Sequence, residues 1–212
     1  MWQGSLIEQL IRLGGRAVAA GLVIGSGGNL SARSPGANEC VVTARGTWLD
    51  ELTGDDFSVV GLDARVRSGS AAPSSEVALH LAAYRARADV NAVVHLHPQT
   101  SVLLDALGQR IRLITLDHVA YLRRVATVPY LAPGTAALAE AGAQALADAD
   151  VVILGHHGCS VVADSLELAY KRAANLEEAA MATYRSLLLG DAETAAPPDY
   201  LRRLSSLADG SH

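Results

Sequence analysis

The sequence predicts an α/β domain in which a central mixed, largely antiparallel β-sheet is flanked by helices. Segments whose apolar residues recur at helical spacing alternate with short strand-like runs along the chain. Several of these runs follow one another as hairpin-like pairs, which favours antiparallel pairing over a doubly wound parallel sheet. With 212 residues, the chain can bury a sizeable core. We therefore expect residues 1–212 to form a single domain, with a flexible or interface-forming tail from about residue 195.

The first half of the chain carries the signals of two helices and several strands. Leu6, Leu10 and Leu13 recur at helical spacing, and the glycine-rich stretch 25–28 ends that helix. Pro73 opens the second helix. The predicted elements are a helix over 5–22, strands over 29–33 and 41–43, a short helical turn followed by a strand within 52–66, a helix over 73–87 and a strand over 92–95.

Prolines delimit the helices predicted in the second half. Pro98 and Pro133 each start one, and the pair at 197–198 follows the end of the longest. The predicted elements are a helix over 98–107, a strand over 125–130, an alanine-rich helix over 133–147, a strand over 151–154, a segment over 160–162 that pairs with that strand or continues it, a helix over 165–189 and a short helix from about 199.

Composition excludes several classes of function. The net charge is −5 and no basic run occurs, which argues against nucleic acid as a partner. No apolar run reaches the roughly 18 residues of a membrane span, so no membrane association is expected. Cys40 and Cys159 are too few for a disulfide framework, and we expect a cytoplasmic protein.

Three histidines carry the strongest functional signal. His95 and His97 are two residues apart in an apolar run, so on a strand both imidazoles face the same side. His157 follows another apolar run and precedes Gly158, where a strand meets a loop. Three protein ligands are typical of a catalytic zinc, which keeps one position open. The alternative is a set of hydrogen-bonded structural histidines, the role that we expect for the adjacent His156.

The run Ser74-Ser75-Glu76 is the second feature. Hydroxyl groups and free backbone N–H groups at a helix N-terminus form a cradle for an anion, although simple capping would need only one serine. Glu76 could do no more than complement the helix dipole. Beside a metal ion, however, its carboxylate could move a proton or occupy the open coordination position.

Two glycine-containing turns are weaker signals. Gly28 allows a close approach of the backbone to a ligand, and Asn29 offers a polar group at the start of a strand. Arg45, before Gly46, could bind a phosphate or a carboxylate through its guanidinium group. Taken alone, both turns are explained more simply as loops.

Six motifs follow one another in a fixed order along the chain. They are Gly28–Ser31, Thr43–Gly46, Pro73–Glu76 with His80, Ala92–His97, Pro129–Tyr130 with Gly134–Thr135, and His156–Gly158. This ordered set resembles the class II aldolase and adducin-head family, in particular its L-fuculose-1-phosphate aldolase branch. The resemblance extends from about residue 5 to about residue 190, and the set is more specific than any single motif.

The resemblance implies a nine-stranded mixed sheet and a homotetramer with active sites between subunits. It implies cleavage of a ketose 1-phosphate to dihydroxyacetone phosphate and an aldehyde, without a Schiff-base lysine. Glu76 would be the catalytic acid/base. The other implied site residues are His95, His97 and His157 on Zn²⁺, and Asn29, Ser74, Ser75 and the turn of Arg45 and Gly46 on the substrate phosphate.

The chain departs from the family pattern at three places. Arg45 stands where aldolases usually carry Thr or Ser. The segment 117–124 is shorter than the family's glycine-containing loop, and Tyr121 is the candidate there for the family's catalytic tyrosine, with a core tyrosine as the alternative. The family's tail tyrosine has no clear counterpart, because Tyr200 comes too early.

Other activities of the same fold are alternatives. These are a methylthioribulose-1-phosphate dehydratase, an oxo-tetronate-phosphate decarboxylase and a sugar-phosphate 4-epimerase. Glu76 disfavours the epimerase, which carries Asp there, and Ser75 disfavours the decarboxylase, which tends to carry Lys. A non-catalytic binding module is disfavoured by the complete set of histidines.

Overall fold

The computed structural model describes residues 4–69, 72–200, 202 and 203. The strands and helices in these residues are, in chain order, α1 (Leu6–Ala19), β1 (Asn29–Ala32), β2 (Glu39–Thr43), β3 (Phe57–Gly61), β4 (Val66–Gly69), α2 (Val77–Ala86), β5 (Ala92–Leu96), α3 (Gln99–Ala106), α4 (Leu116–Leu122), β6 (Val125–Val128), α5 (Ala136–Ala145), β7 (Val151–Leu154), β8 (Gly158–Ala163) and α6 (Leu166–Leu188).

The strands form one eight-stranded sheet in the order β4-β3-β2-β1-β5-β8-β7-β6. All pairs are antiparallel except β6 and β7, which are parallel. The central strand β5 lies between β1 and β8, with Asn29 of β1 opposite His95 and Ser160 of β8 on its other side. The sheet thus brings three distant segments together at the end of β5.

Helices cover both faces of the sheet, and the side chains of β5 alternate between them. Val94 and Leu96 join the core on the side of α1 and α6. Val93 joins the core on the side of α2 and α5. Because successive side chains of a strand point to opposite faces, His95 lies on the same side as Val93. The aromatic content is low, and α6 packs through small residues such as Ala173 and Ala179, which are almost fully buried.

Most of the predicted elements are confirmed, and several details differ. The segment 160–162 pairs antiparallel with β7 as part of β8. The region 52–66 contains turns and β3, and a hairpin leads from it to β4. The described residues hold eight strands, whereas the resemblance implied nine. Helix α4 was not predicted. Residues 198–200 of the predicted terminal helix are helical, and most of the chain beyond residue 200 lies outside the described residues.

Helix α4 was missed because its cap is unusual. The Thr115 hydroxyl accepts a hydrogen bond from the backbone N–H of His118, and the His118 side chain closes the capping box. This box normally uses Glu or Gln at the third helical position. None of the helices in the described residues has the length and hydropathy of a membrane span.

Candidate functional site

The three histidines lie where β5 and β8 meet. His95 belongs to β5, His97 directly follows that strand, and Leu96 between them faces the other way into the core. The turn between β7 and β8 carries His157, whose backbone N–H donates to Leu154 O at 2.9 Å. His156 is exposed in this turn, with a left-handed φ of 57°. Because β8 pairs with β5, this turn places His157 beside the other two histidines.

Glu76 completes the cluster from the start of α2. It is the N-cap residue of that helix, and its backbone N–H donates to Ser74 Oγ at 3.2 Å. Its Oε2 lies 2.8 Å from His95 Nε2, and its Oε1 lies 3.6 Å from His157 Nε2. The Nε2 atoms of His95 and His97 are 3.0 Å apart. One potential ligand atom from each of the four residues thus lies within 4.8 Å of all the others.

These four residues could hold a metal ion. Three imidazole nitrogens and a carboxylate are a donor set of the kind that binds zinc and related divalent metals. Glu76 Oε1 is buried and has no hydrogen-bond partner among the described residues, so a cation within the cluster would satisfy it. The donor set and this unpaired oxygen both fit a metal centre.

The protonation states also suit metal binding. Burial, with a smaller contribution from His95, lowers the pKa of His97 to about 4 and also lowers the pKa of His157. Both imidazoles are therefore neutral near pH 7, the form that binds metals. Burial alone would raise the pKa of Glu76, but the hydrogen bonds to its carboxylate, above all that of His95 and then that of Asn29, lower it to about 2, which keeps the carboxylate ionised.

A buried polar network adjoins the cluster. Asn29 Nδ2 donates to Glu76 Oε2 at 3.2 Å, and the Asn29 carbonyl is bonded to His80 Nε2. His80 Nδ1 is 2.6 Å from Ser31 Oγ, which is 2.7 Å from the Tyr84 hydroxyl. Beyond Asn29 and Glu76, the sequence analysis named Ser31 and His80 only as members of motifs, without a role, and did not single out Tyr84. Spacing offers a signal in retrospect, since Asn29 and Ser31 share one face of β1 and His80 and Tyr84 lie one helical turn apart.

The residues predicted to bind phosphate lie on two neighbouring turns beside Glu76. The backbone N–H of Ser74 donates to Thr43 O at 3.0 Å, and that of Arg45 donates to Ala72 O at 3.0 Å. Ser74 is buried, whereas Ser75, Arg45 and Gly46 are exposed. Asn29 lies close by, since the backbone N–H of Leu30 donates to Thr43 Oγ1 at 3.1 Å.

Tyr121 lies elsewhere in the chain. It belongs to α4, which packs on α6, and its carbonyl accepts a hydrogen bond from Arg172 Nε at 3.3 Å. Helix α6 covers the opposite face of the sheet from α2, and Arg172 also contacts Val162 near the far end of β8. Within one chain, the structure therefore does not bring Tyr121 to the histidine cluster.

Comparisons with known proteins agree on one family. The model of the class II aldolase and adducin N-terminal domain matches residues 8–184. The L-fuculose phosphate aldolase of Methanocaldococcus jannaschii is 35% identical over 86% of this chain and 97% of its own. The 3-oxo-tetronate 4-phosphate decarboxylase of Escherichia coli K12 is 35% identical over 88% of each chain. A solved L-fuculose 1-phosphate aldolase has a TM-score of 0.89 at 25% identity, covering 99% of this chain and 98% of its own.

Proposed function

This chain belongs to the class II aldolase and adducin N-terminal domain family, and from this premise we propose that it is a zinc-dependent aldolase. Its substrate would be a ketose 1-phosphate similar to L-fuculose 1-phosphate, cleaved to dihydroxyacetone phosphate and an aldehyde or formed from them. The observation that carries the proposal is the ionised Glu76 carboxylate set against three convergent imidazoles. A binding module has no need of this arrangement.

His95, His97 and His157 would hold the Zn²⁺ ion. When bound there, zinc acts as a Lewis acid on the substrate carbonyl and its neighbouring hydroxyl. Glu76 would then take up or deliver the proton at the carbon next to the carbonyl, from a position within 3.6 Å of two of the imidazoles. The only lysine, Lys171, lies on α6 and its Nζ is 2.9 Å from Glu167, which suits chemistry without a Schiff base.

The substrate phosphate would lie against the two turns beside α2. The exposed Ser75 hydroxyl, the N-terminal backbone of α2 and the open Gly46 turn suit an anion. Asn29, Ser74 and the Arg45 guanidinium would complete this pocket. Binding energy from a remote phosphate positions the reacting carbon.

We place this enzyme in the cytoplasm as a homotetramer of single-domain subunits. Sites between subunits are the arrangement in which Tyr121 could contribute, since it lies away from the cluster of its own chain. Tyr121 would then act in the site of a neighbouring subunit.

An oxo-tetronate-phosphate decarboxylase is the second candidate. Two observations favour it: one relative with that name is 35% identical, and Arg45 offers an exposed cation for a substrate carboxylate. Ser75, where decarboxylases tend to carry Lys, disfavours it.

The deciding experiment is a coupled assay for dihydroxyacetone phosphate, run on zinc-loaded and chelator-treated protein. The panel would contain L-fuculose 1-phosphate, 5-deoxy and methylthio pentulose 1-phosphates, and a 3-oxo-tetronate 4-phosphate whose carbon dioxide release is followed in parallel. We expect zinc-dependent release from at least one ketose 1-phosphate. Carbon dioxide without dihydroxyacetone phosphate would establish the decarboxylase instead. Absence of bound zinc from protein purified in metal-replete medium would favour a binding module.

A further inference from the structure

Five polar side chains run in a continuous line from the candidate proton-transfer group into the core. In order they are Glu76, Asn29, His80, Ser31 and Tyr84. Ser31 and His80 have no exposed surface, and the others are at most 6% exposed. Burying polar groups is costly unless they are hydrogen-bonded, and here each member bonds to the next.

The hydrogen bonds of this line have one consistent direction. The carboxylate of Glu76 can only accept, so the amide nitrogen of Asn29 donates to it and the amide oxygen faces His80. His80 Nε2 must then carry the proton, and its Nδ1 accepts from the Ser31 hydroxyl. Burial lowers the pKa of His80 to about 3, which keeps the ring neutral with a single proton.

The far end of the line is fixed as well. The single proton of the Ser31 hydroxyl is directed to His80, so the Tyr84 hydroxyl donates to Ser31 Oγ at 2.7 Å. The guanidinium of Arg33 lies 4.8 Å from the centre of the Tyr84 ring and is itself bonded to Val90 O. The line therefore ends at a buried tyrosine whose ring packs against Arg33, and every bond in it is compatible with the Nε2–H form of His80.

Resting on the proposed function, we propose that His80 is a positioning residue for Glu76 that acts through Asn29. Its Nε2–H holds the Asn29 carbonyl, and this orients the Asn29 amide toward Glu76 Oε2. With Oε2 held in this way, Oε1 stays directed to the cluster, 3.6 Å from His157 Nε2. Without that restraint Asn29 could rotate its oxygen toward the carboxylate, where two acceptors would repel each other and displace Glu76.

Two amide variants that differ by one methylene group separate this role from a merely structural one. In His80→Gln the amide nitrogen can reach the place of Nε2 and keep the donor to Asn29, whereas the shorter amide of His80→Asn cannot. His80 is not part of the metal cluster, so both variants should bind one zinc per subunit. On L-fuculose 1-phosphate, or on whichever panel member the wild type cleaves, we expect kcat of His80→Gln within about threefold of wild type. For His80→Asn we expect a kcat about 10- to 100-fold lower with little change in KM, the usual effect of losing such a supporting contact.

Equal kcat values for the two variants, whether high or low, would overturn the positioning role. A measurement on the wild-type holoenzyme does not depend on the variants or on turnover. With ¹⁵N-labelled histidine, the long-range ¹H–¹⁵N couplings report which ring nitrogen carries the proton. The Nε2–H form is expected for His80, and the Nδ1–H form would contradict the proposal. If the wild type cleaves no ketose 1-phosphate, the proposed function fails, and the tautomer still decides whether the line to Glu76 exists.

Discussion

At the scale of single residues, local backbone geometry decides which histidines converge: His95 and His97 both do, whereas only His157 of the adjacent pair at 156–157 does. The alternation of a strand explains why His95 and His97 act together, and the hairpin turn explains why His157 joins them. These three and Glu76 could be predicted because each stands in a short, patterned motif. The line through His80 was not predicted, because spacing shows only that Asn29 and Ser31 share a face of β1 and that His80 and Tyr84 lie one helical turn apart. The contact between the two pairs is long-range.

The first prediction concerns metal binding. His97→Ala removes one of the three imidazole donors and should abolish stoichiometric zinc binding, as measured by atomic emission on dialysed protein. His156→Asn is the matched control, because His156 is exposed, lies outside the cluster and adopts a left-handed φ that Asn tolerates well. Full zinc occupancy in His97→Ala would show that this ligand assignment is wrong.

The second prediction concerns proton transfer. Glu76→Gln keeps the size of the side chain and an oxygen that can accept from Asn29, but it removes the basic carboxylate. Turnover should fall by about 10²-fold or more, while zinc content and inorganic phosphate binding remain. Steady-state kinetics, metal analysis and phosphate titration by calorimetry together test this. A turnover close to that of the wild type would rule out Glu76 as the acid/base.

At the scale of elements, the sequence patterns were most informative where helices and strands are long and regular. Helices α1 and α6 have clear apolar spacing, β7 is a continuous apolar run, and β5 is apolar apart from His95. Helix α4 has only seven residues and a histidine in its capping box, so it lacks both periodicity and the usual cap signal. Strand β8 forms a local hairpin with β7 but also pairs with the distant β5, and this long-range pairing is not encoded in the local sequence.

The third prediction tests the cap of α4. Thr115→Ala removes the hydroxyl that accepts from the His118 N–H at 3.2 Å, and should lower the free energy of unfolding by about 1 kcal/mol. Thr115→Ser keeps the hydroxyl and should stay within a few tenths of a kcal/mol, about the spread between Ser and Thr caps. Urea denaturation of both variants provides the comparison. Equal stabilities would mean that the hydroxyl does not support this helix.

At the scale of the whole molecule, the sheet order places the site at the meeting point of β1, β5, β8 and the start of α2. Residues as distant in the chain as Asn29 and His157 meet there, which the sequence indicated through the three histidines and the ordered set of motifs. Helix α4, by contrast, lies on the other face with α6. A catalytic role for Tyr121 is therefore compatible with this fold only if a second chain supplies it.

The last prediction concerns this separation of Tyr121 from the cluster. Tyr121→Phe and Glu76→Gln should each have low activity as pure proteins. Subunits of the two variants, mixed by refolding together, should regain activity, because some interfaces then combine Glu76 of one chain with Tyr121 of the next. The control is each variant refolded alone at the same total concentration, with sedimentation equilibrium to confirm assembly. If the mixture has only the average of the two activities although mixed oligomers form, Tyr121 does not act across an interface. A fully active Tyr121→Phe protein would show that this residue takes no part in the site. Glu76 would then remain the proposed proton-transfer group, and any second acid/base would have to come from another segment.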